Sequence, residues 1–127
     1  MAAMNRYAWI AIGGAVGALA RYQLATAIQS RLPLGFPLGT FLVNVSGCLA
    51  MGIVSTLLAD RLSLSPNWRF AVPIGFIGAY TTFSTFEFET FRAVNDGAWL
   101  VGGVNVVASV VVGYIALWVG VVVARAM

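Results

Sequence analysis

Gly75-Phe76-Ile77-Gly78-Ala79-Tyr80-Thr81-Thr82-Phe83-Ser84-Thr85-Phe86 is the stretch on which the reading of this chain turns. Five hydroxyl side chains and two glycines stand here inside sequence otherwise apolar enough to cross a bilayer. In hydrocarbon every free backbone N–H or C=O costs several kcal/mol. Polar, helix-weakening sequence therefore persists at membrane depth only where protein or a wet cavity satisfies it. The segment reads as a broken membrane helix that lines something.

The rest of the chain supports a membrane setting. It is 61% hydrophobic and 9% charged over 127 residues, with a mean hydropathy of +0.93, whereas a soluble domain carries about 25% charged residues. A span needs roughly 20 apolar residues. Four candidates meet that length: about Tyr7 to Ile28, Leu38 to Leu58, Arg69 to Val94 with its break near 78–82, and Ala98 to Ala124. The expected fold is all-α, a single transmembrane domain over 1–127. The first span resembles a signal peptide in having Arg6 before an apolar run, but its length and Arg21 within it favour a retained helix. Cys48 is the single cysteine and reads as a small core residue.

Short connections separate the spans and make consecutive helices antiparallel neighbours. Pro33, Gly35 and Pro37 punctuate the first, Asp60, Arg61, two serines and Pro66 the second, and Asn95-Asp96-Gly97 the third. Tyr7, Trp9, Trp68, Trp99 and Trp118 fall near span ends, where aromatic rings anchor at the interface.

The net charge of +3 comes entirely from scattered arginines. They form no basic cluster for nucleic acid. With four spans, Arg6, Arg61, Arg69 and Arg125 lie on one side of the membrane and Arg31 and Arg92 on the other, a weak positive-inside bias. Insertion in both orientations is the expectation. The chain also contains no internal duplication, although many transporters build their pathway from two inverted repeats. Two copies in opposite orientation would reproduce that symmetry.

Polar groups recur at helical spacing in each span. Gly13, Gly17 and Arg21 share one face, with Tyr22 alongside. Small residues at this spacing allow close helix packing, and Arg21 either snorkels or lines an aqueous vestibule that draws anions. Thr40, Asn44 and Gly47 share a face of the second span. There Asn44 is either interhelical glue or an N–H donor to a passing anion. If helix resumes after Thr82, Phe83 and Phe86 share a face and Thr82, Thr85 and Glu89 an adjacent one. Phenylalanine pairs usually pack cores, yet their ring edges carry partial positive charge and can face an anion without gripping it. In the fourth span Gly102, Asn105, Ser109 and Gly113 align. Ser109 either extends a hydroxyl track or bonds its own helix. Without histidine, a second cysteine, a phosphate-binding glycine loop or a serine with a base, catalysis is not expected.

Three motifs, Gly13-xxx-Gly17-xxx-Arg21-Tyr22, Gly39-Thr40-xxx-Asn44-xx-Gly47-xxxx-Gly52 and Gly75-xx-Gly78-xx-Thr81-Thr82-Phe83-Ser84-Thr85-Phe86, resemble in order and spacing the Fluc (CrcB) family of small bacterial fluoride channels. The resemblance implies a dual-topology antiparallel homodimer in the bacterial inner membrane, with two pores that passively export fluoride and so confer fluoride resistance. It implies that Phe83 and Phe86 form ring boxes beside each pore and that Asn44 donates to the ion. Thr40, Ser84, Thr85, Glu89 and Ser109 would form a polar track and Arg21 a vestibule. The carbonyls of Gly78 and Thr81 from both subunits would hold a structural sodium ion. The competing expectation is a proton-coupled or multidrug-type secondary transporter with Glu87 or Glu89 as its coupling carboxylate.

Overall fold

The computed structural model describes residues 2–60 and 65–127 of the chain. Arg61 and Ser63 of the second connection lie outside the described residues. Among the described residues every regular element is a helix. Helix α1 covers Ala2–Arg31 and α2 covers Leu38–Asp60. The third helix, α3, is a composite of Asn67–Arg69, Phe70–Ile77 and Gly78–Tyr80. Helix α4 covers Phe83–Asn95 and α5 covers Trp99–Ala126.

Two of these, α2 and α5, are long and apolar enough to cross a membrane. Helix α1 has the length, 30 residues, but dilutes its apolar run with Arg21, Gln23 and Gln29. It also extends beyond the expected end at Ile28 to Arg31, so the first connection is tighter than the sequence suggested. Its turn uses Gly35 at φ +71°, and the turn before α5 uses Gly97 at φ +85°, both left-handed conformations that glycine adopts without strain.

The middle of α3, Phe70–Ile77, is wound as a π-helix around Pro73. Proline lacks an N–H and its ring crowds the carbonyl one turn back. Widening the turn relieves that clash, and the N–H of Gly78 accordingly reaches the Pro73 carbonyl five residues back.

Helix α1 packs along α3, and α2 packs along α5. The first seam is a backbone contact. A Cβ on Gly13 would overlap the Ala71 carbonyl oxygen and one on Gly17 that of Phe76. The seam therefore tolerates no side chain at either position. Val43, Ile77 and Asn105 are the largest fully buried side chains. Much of the α5 surface is exposed apolar side chain, including Val107, Val110, Ile115 and Trp118, a surface suited to lipid.

Candidate functional site

Helix α3 ends at Tyr80 and α4 begins at Phe83. Between them Thr81 (φ −83°, ψ 155°) and Thr82 (φ −146°, ψ 122°) are extended. Such a break strands carbonyls at the end of one helix and N–H groups at the start of the next. The Ala79 carbonyl, the Thr82 N–H and carbonyl and the Thr85 N–H each find a named side chain.

Asn44 on α2 serves Thr82 twice. Its Nδ2 donates to the Thr82 carbonyl at 3.0 Å, and its Oδ1 accepts from the Thr82 N–H at 2.8 Å. The Thr82 hydroxyl in turn accepts from the Thr85 N–H at 3.3 Å and caps α4. Arg21 Nε donates to the Ala79 carbonyl at 3.1 Å, which places its cation at the C-terminal end of α3, where the helix dipole favours positive charge. The three residues Gly13, Gly17 and Arg21 thus meet α3 in succession, at Ala71, Phe76 and Ala79.

The diversion of these donors has a consequence for two carbonyls. In a continuous helix Gly78 O would accept from Thr82 N–H and Thr81 O from Thr85 N–H. Both N–H groups are committed elsewhere, to Asn44 and to the Thr82 hydroxyl. The donor set available at Gly78 and Thr81 is hence main-chain carbonyl oxygen released from the helical ladder. Hard cations prefer such ligands.

Two cavities flank the break. The larger, about 520 Å³, is lined by Arg21, Gln29, Thr40, Thr82, Thr85 and Glu89 among others. Within it Thr40 Oγ1 donates to Glu89 Oε1 at 2.9 Å, while Glu89 Oε2 is buried with no hydrogen-bond partner among the described residues. The second, about 260 Å³, is lined by Asn44, Cys48, Thr81, Thr82, Phe83, Phe86, Ser109 and Val110. Thr82 belongs to both linings, so the break forms part of the wall of each.

Phe83 and Phe86 come together as expected, ring centroids 5.9 Å apart and tilted by 50°. They differ in setting: Phe86 is 6% exposed and Phe83 is 76% exposed. Ser109 lines the same cavity, and its hydroxyl donates to Asn105 Oδ1 at 3.3 Å. Its proton must rotate away from Asn105 before it can serve an anion. One N–H of the Asn44 amide is free of Thr82, since the group carries two and spends one there. Ser84 and Gly78 lie on neither cavity and are exposed on the protomer surface. Glu87 is likewise exposed and outside both.

Three supports were not anticipated from the sequence. Gln29 Nε2 donates to the Phe36 carbonyl at 3.1 Å and its Oε1 accepts from Gly39 N–H at 3.1 Å, which pins the turn into α2. Thr90 donates to the Phe86 carbonyl at 2.8 Å and accepts from Asn105 Nδ2 at 3.0 Å, tying α4 to α5 behind the phenylalanine pair. Ser46 and the Tyr80 hydroxyl are 2.8 Å apart. The i, i+4 spacings of Phe86 with Thr90 and of Asn105 with Ser109 were the available signals.

The chain is similar to known proteins over nearly its whole length. A family profile described as CrcB-like protein, Camphor Resistance (CrcB), matches residues 8–121. Among curated relatives, a protein of Solibacter usitatus named fluoride-specific ion channel FluC is 53% identical over 120 residues, which is 94% of this chain and 98% of that protein. A protein of the same name from Acidobacterium capsulatum is 50% identical over 118 residues, 93% of this chain and 94% of its own. A third, from Geobacter sp. strain M21, is 44% identical over 124 residues, 98% of this chain and 100% of its own. With a profile match across 8–121 and relatives at about half identity that it covers almost entirely, the chain belongs to the CrcB family.

Proposed function

We infer that this chain is a passive, fluoride-selective ion channel and not an enzyme. The observation that carries the inference is a single cavity, walled by Asn44, Ser109 and the Phe83–Phe86 pair, in a chain whose relatives are named for fluoride. Fluoride is small and strongly hydrated. A site that strips its water must return closely placed donors without binding so tightly that the ion stays. The free N–H of Asn44, threonine and serine hydroxyls and the edge-positive rims of two rings fit that need. Arg21, Thr40, Thr85 and Glu89 line the neighbouring cavity and form the approach to it, with Ser84 added from the exposed side.

The architecture in this reading is four membrane crossings in the bacterial inner membrane, with α3 and α4 together making the third and interrupted one. The working unit is an antiparallel homodimer with two pores. Supporting it are the weak positive-inside bias of the arginines, the lack of an internal repeat and the polar or aromatic groups left exposed beside the break, namely Ser46, Gly78, Phe83 and Ser84. Such groups at membrane depth call for protein cover. The released carbonyls of Gly78 and Thr81, doubled by a second copy, suit a structural sodium ion at the dimer centre. The relatives' name is that of a channel, so a proton-coupled transporter with Glu87 or Glu89 as its coupling carboxylate is not favoured.

Efflux from vesicles containing the purified protein tests the function. Fluoride should leave fast and without a proton gradient while chloride is retained. Vesicles that stay fluoride-tight, or that lose both ions equally, would overturn the reading.

A further inference from the structure

An apolar cavity of about 260 Å³ lies between the end of α2 and the start of α3, walled by Val54, Leu57, Leu58, Trp68 and Val72. Apart from the indole N–H of Trp68, no polar side-chain group stands in that wall. Val54, Leu57 and Val72 are half-buried and Trp68 is exposed, so the cavity opens on the outer surface of the protomer. It shares no lining residue with either cavity at the break.

Arg69 joins the same two helices at the mouth of this cavity, its Nη2 donating to the Leu58 carbonyl at 3.2 Å. A guanidinium carries five N–H donors, and its planar fork matches the oxygens of a phosphate. One bond to Leu58 therefore leaves most of that fork to spare. Arg6 stands close by, its guanidinium 5.7 Å from the centroid of the Phe70 ring. Both arginines are exposed. Helices α2 and α5 run parallel, Cys48 facing Gly113 and Gly52 facing Leu117, which brings Arg125 to this end of the bundle as well. Among the described residues, Arg6, Arg69 and Arg125 here face the single carboxylate side chain of Asp60. Glu87, Glu89 and Asp96 belong to α4 and the turn after it, at the opposite end.

We propose that the cavity and Arg69 form a binding site for one anionic phospholipid. The phosphate rests on the Arg69 guanidinium, Arg6 adds to the field around it, and one acyl chain lies against Val54, Leu57, Leu58 and Val72. Trp68 marks the level at which chain gives way to headgroup, the depth where indole rings settle in a bilayer. Two observations commit the site to lipid. Its wall is apolar and built partly by α2, a helix long and apolar enough to cross a membrane. Its mouth is positive and stands at an end of the bundle, where a membrane surface is negative. Bound there, the lipid bridges α2 and α3 from outside, and in the antiparallel arrangement proposed above each leaflet meets one such site. The proposal needs the membrane setting alone and does not depend on which ion is conducted.

The experiment uses the full chain in phosphatidylcholine vesicles, with Trp9, Trp99 and Trp118 replaced by phenylalanine so that Trp68 alone fluoresces. Phosphatidylglycerol or phosphatidylcholine with brominated acyl chains is the quencher. Trp68 should be quenched by the phosphatidylglycerol at a mole fraction lower by on the order of 5-fold, the preference that one arginine near a membrane surface confers. Arg69→Gln should bring the two lipids level, and Arg69→Lys should keep part of the difference. Salt at 1 M, where the Debye length is about 3 Å, should shrink the preference without any substitution. Val72→Phe fills the cavity and should weaken quenching by both lipids alike. A second protein that keeps only Trp99, at the other end of the bundle, should show no preference. Equal quenching of Trp68 by the two lipids, a preference that survives Arg69→Gln, or one equally large at Trp99 would overturn the proposal. So would a Trp68 that neither lipid reaches, which would mean protein cover, or a preference abolished by free glycerol phosphate as readily as by lipid, which would leave the cavity without a role. Fluoride efflux is read separately, so none of these outcomes touches the channel reading.

Discussion

Thr40 and Glu89, separated by 49 positions in the chain, are joined by a hydrogen bond of 2.9 Å from the threonine hydroxyl to one carboxylate oxygen. The other oxygen of Glu89 is buried and unpartnered among the described residues. Thr40 is itself only 7% exposed. The pair fixes α2 to α4 at the wall of the 520 Å³ cavity.

Replacement of Thr40 by valine would leave both oxygens of Glu89 without a donor. We expect Thr40→Val to cost about 1 to 3 kcal/mol and Thr40→Ser to cost less. Combined with Glu89→Met the loss should fall well short of the sum of the single changes, because the stranded carboxylate is gone. Thermal unfolding of the detergent-solubilised variants gives the comparison, and full additivity would show that the bond contributes nothing.

Asn44→Asp retains an acceptor for the Thr82 N–H but sets a second oxygen against the Thr82 carbonyl and removes the side-chain N–H donors from the cavity wall. Fluoride flux should collapse, with a stability loss of about 1 to 3 kcal/mol. Wild-type flux in this variant would contradict the donor role of Asn44.

The two phenylalanines should separate by their burial. Phe83→Ile removes a ring that is 76% exposed in the protomer, so flux should fall while protomer stability holds. Phe86→Ile removes a ring that is 6% exposed and should reduce flux and also cost about 1 to 3 kcal/mol. Undiminished flux in both variants, measured by efflux, would remove ring edges from the conduction path.

If a sodium ion sits on the carbonyls of Gly78 and Thr81, the melting midpoint should rise with the logarithm of sodium concentration, as for any ligand of the folded state. Exhaustive exchange for a large organic cation should lower that midpoint and favour monomers in cross-linking. A midpoint indifferent to sodium after such exchange speaks for a dimer held by protein contacts alone.

Much of this arrangement was legible in the sequence because membrane depth makes polar residues conspicuous. The face shared by Gly13, Gly17 and Arg21 meets α3 at three successive points, and the alignment of Gly102, Asn105 and Gly113 is buried as a group. The two proposed roles of Asn44, glue or donor, turn out to be compatible: its bonds to Thr82 leave one N–H over. What remained hidden depends on partners distant in sequence. Gln29 lies near a helix end, where a polar residue draws no attention, and its bonds to Phe36 and Gly39 become visible only once the turn has closed. The π-helical turns around Pro73 leave no periodic signature, because apolar residues surround the proline on every face.

The Asn44–Thr82 exchange also bears on how the chain enters the bilayer. Translation runs from the N-terminus, and Asn44 precedes Thr82 by 38 residues. The amide that satisfies the interrupted backbone is therefore synthesised before the interruption it serves. Had the order been reversed, Thr81 and Thr82 would have waited in hydrocarbon with their peptide groups bare, each at a cost of several kcal/mol. On the proposed reading of α3 and α4 as one membrane crossing, that order lets Asn44 precede the peptide groups it satisfies.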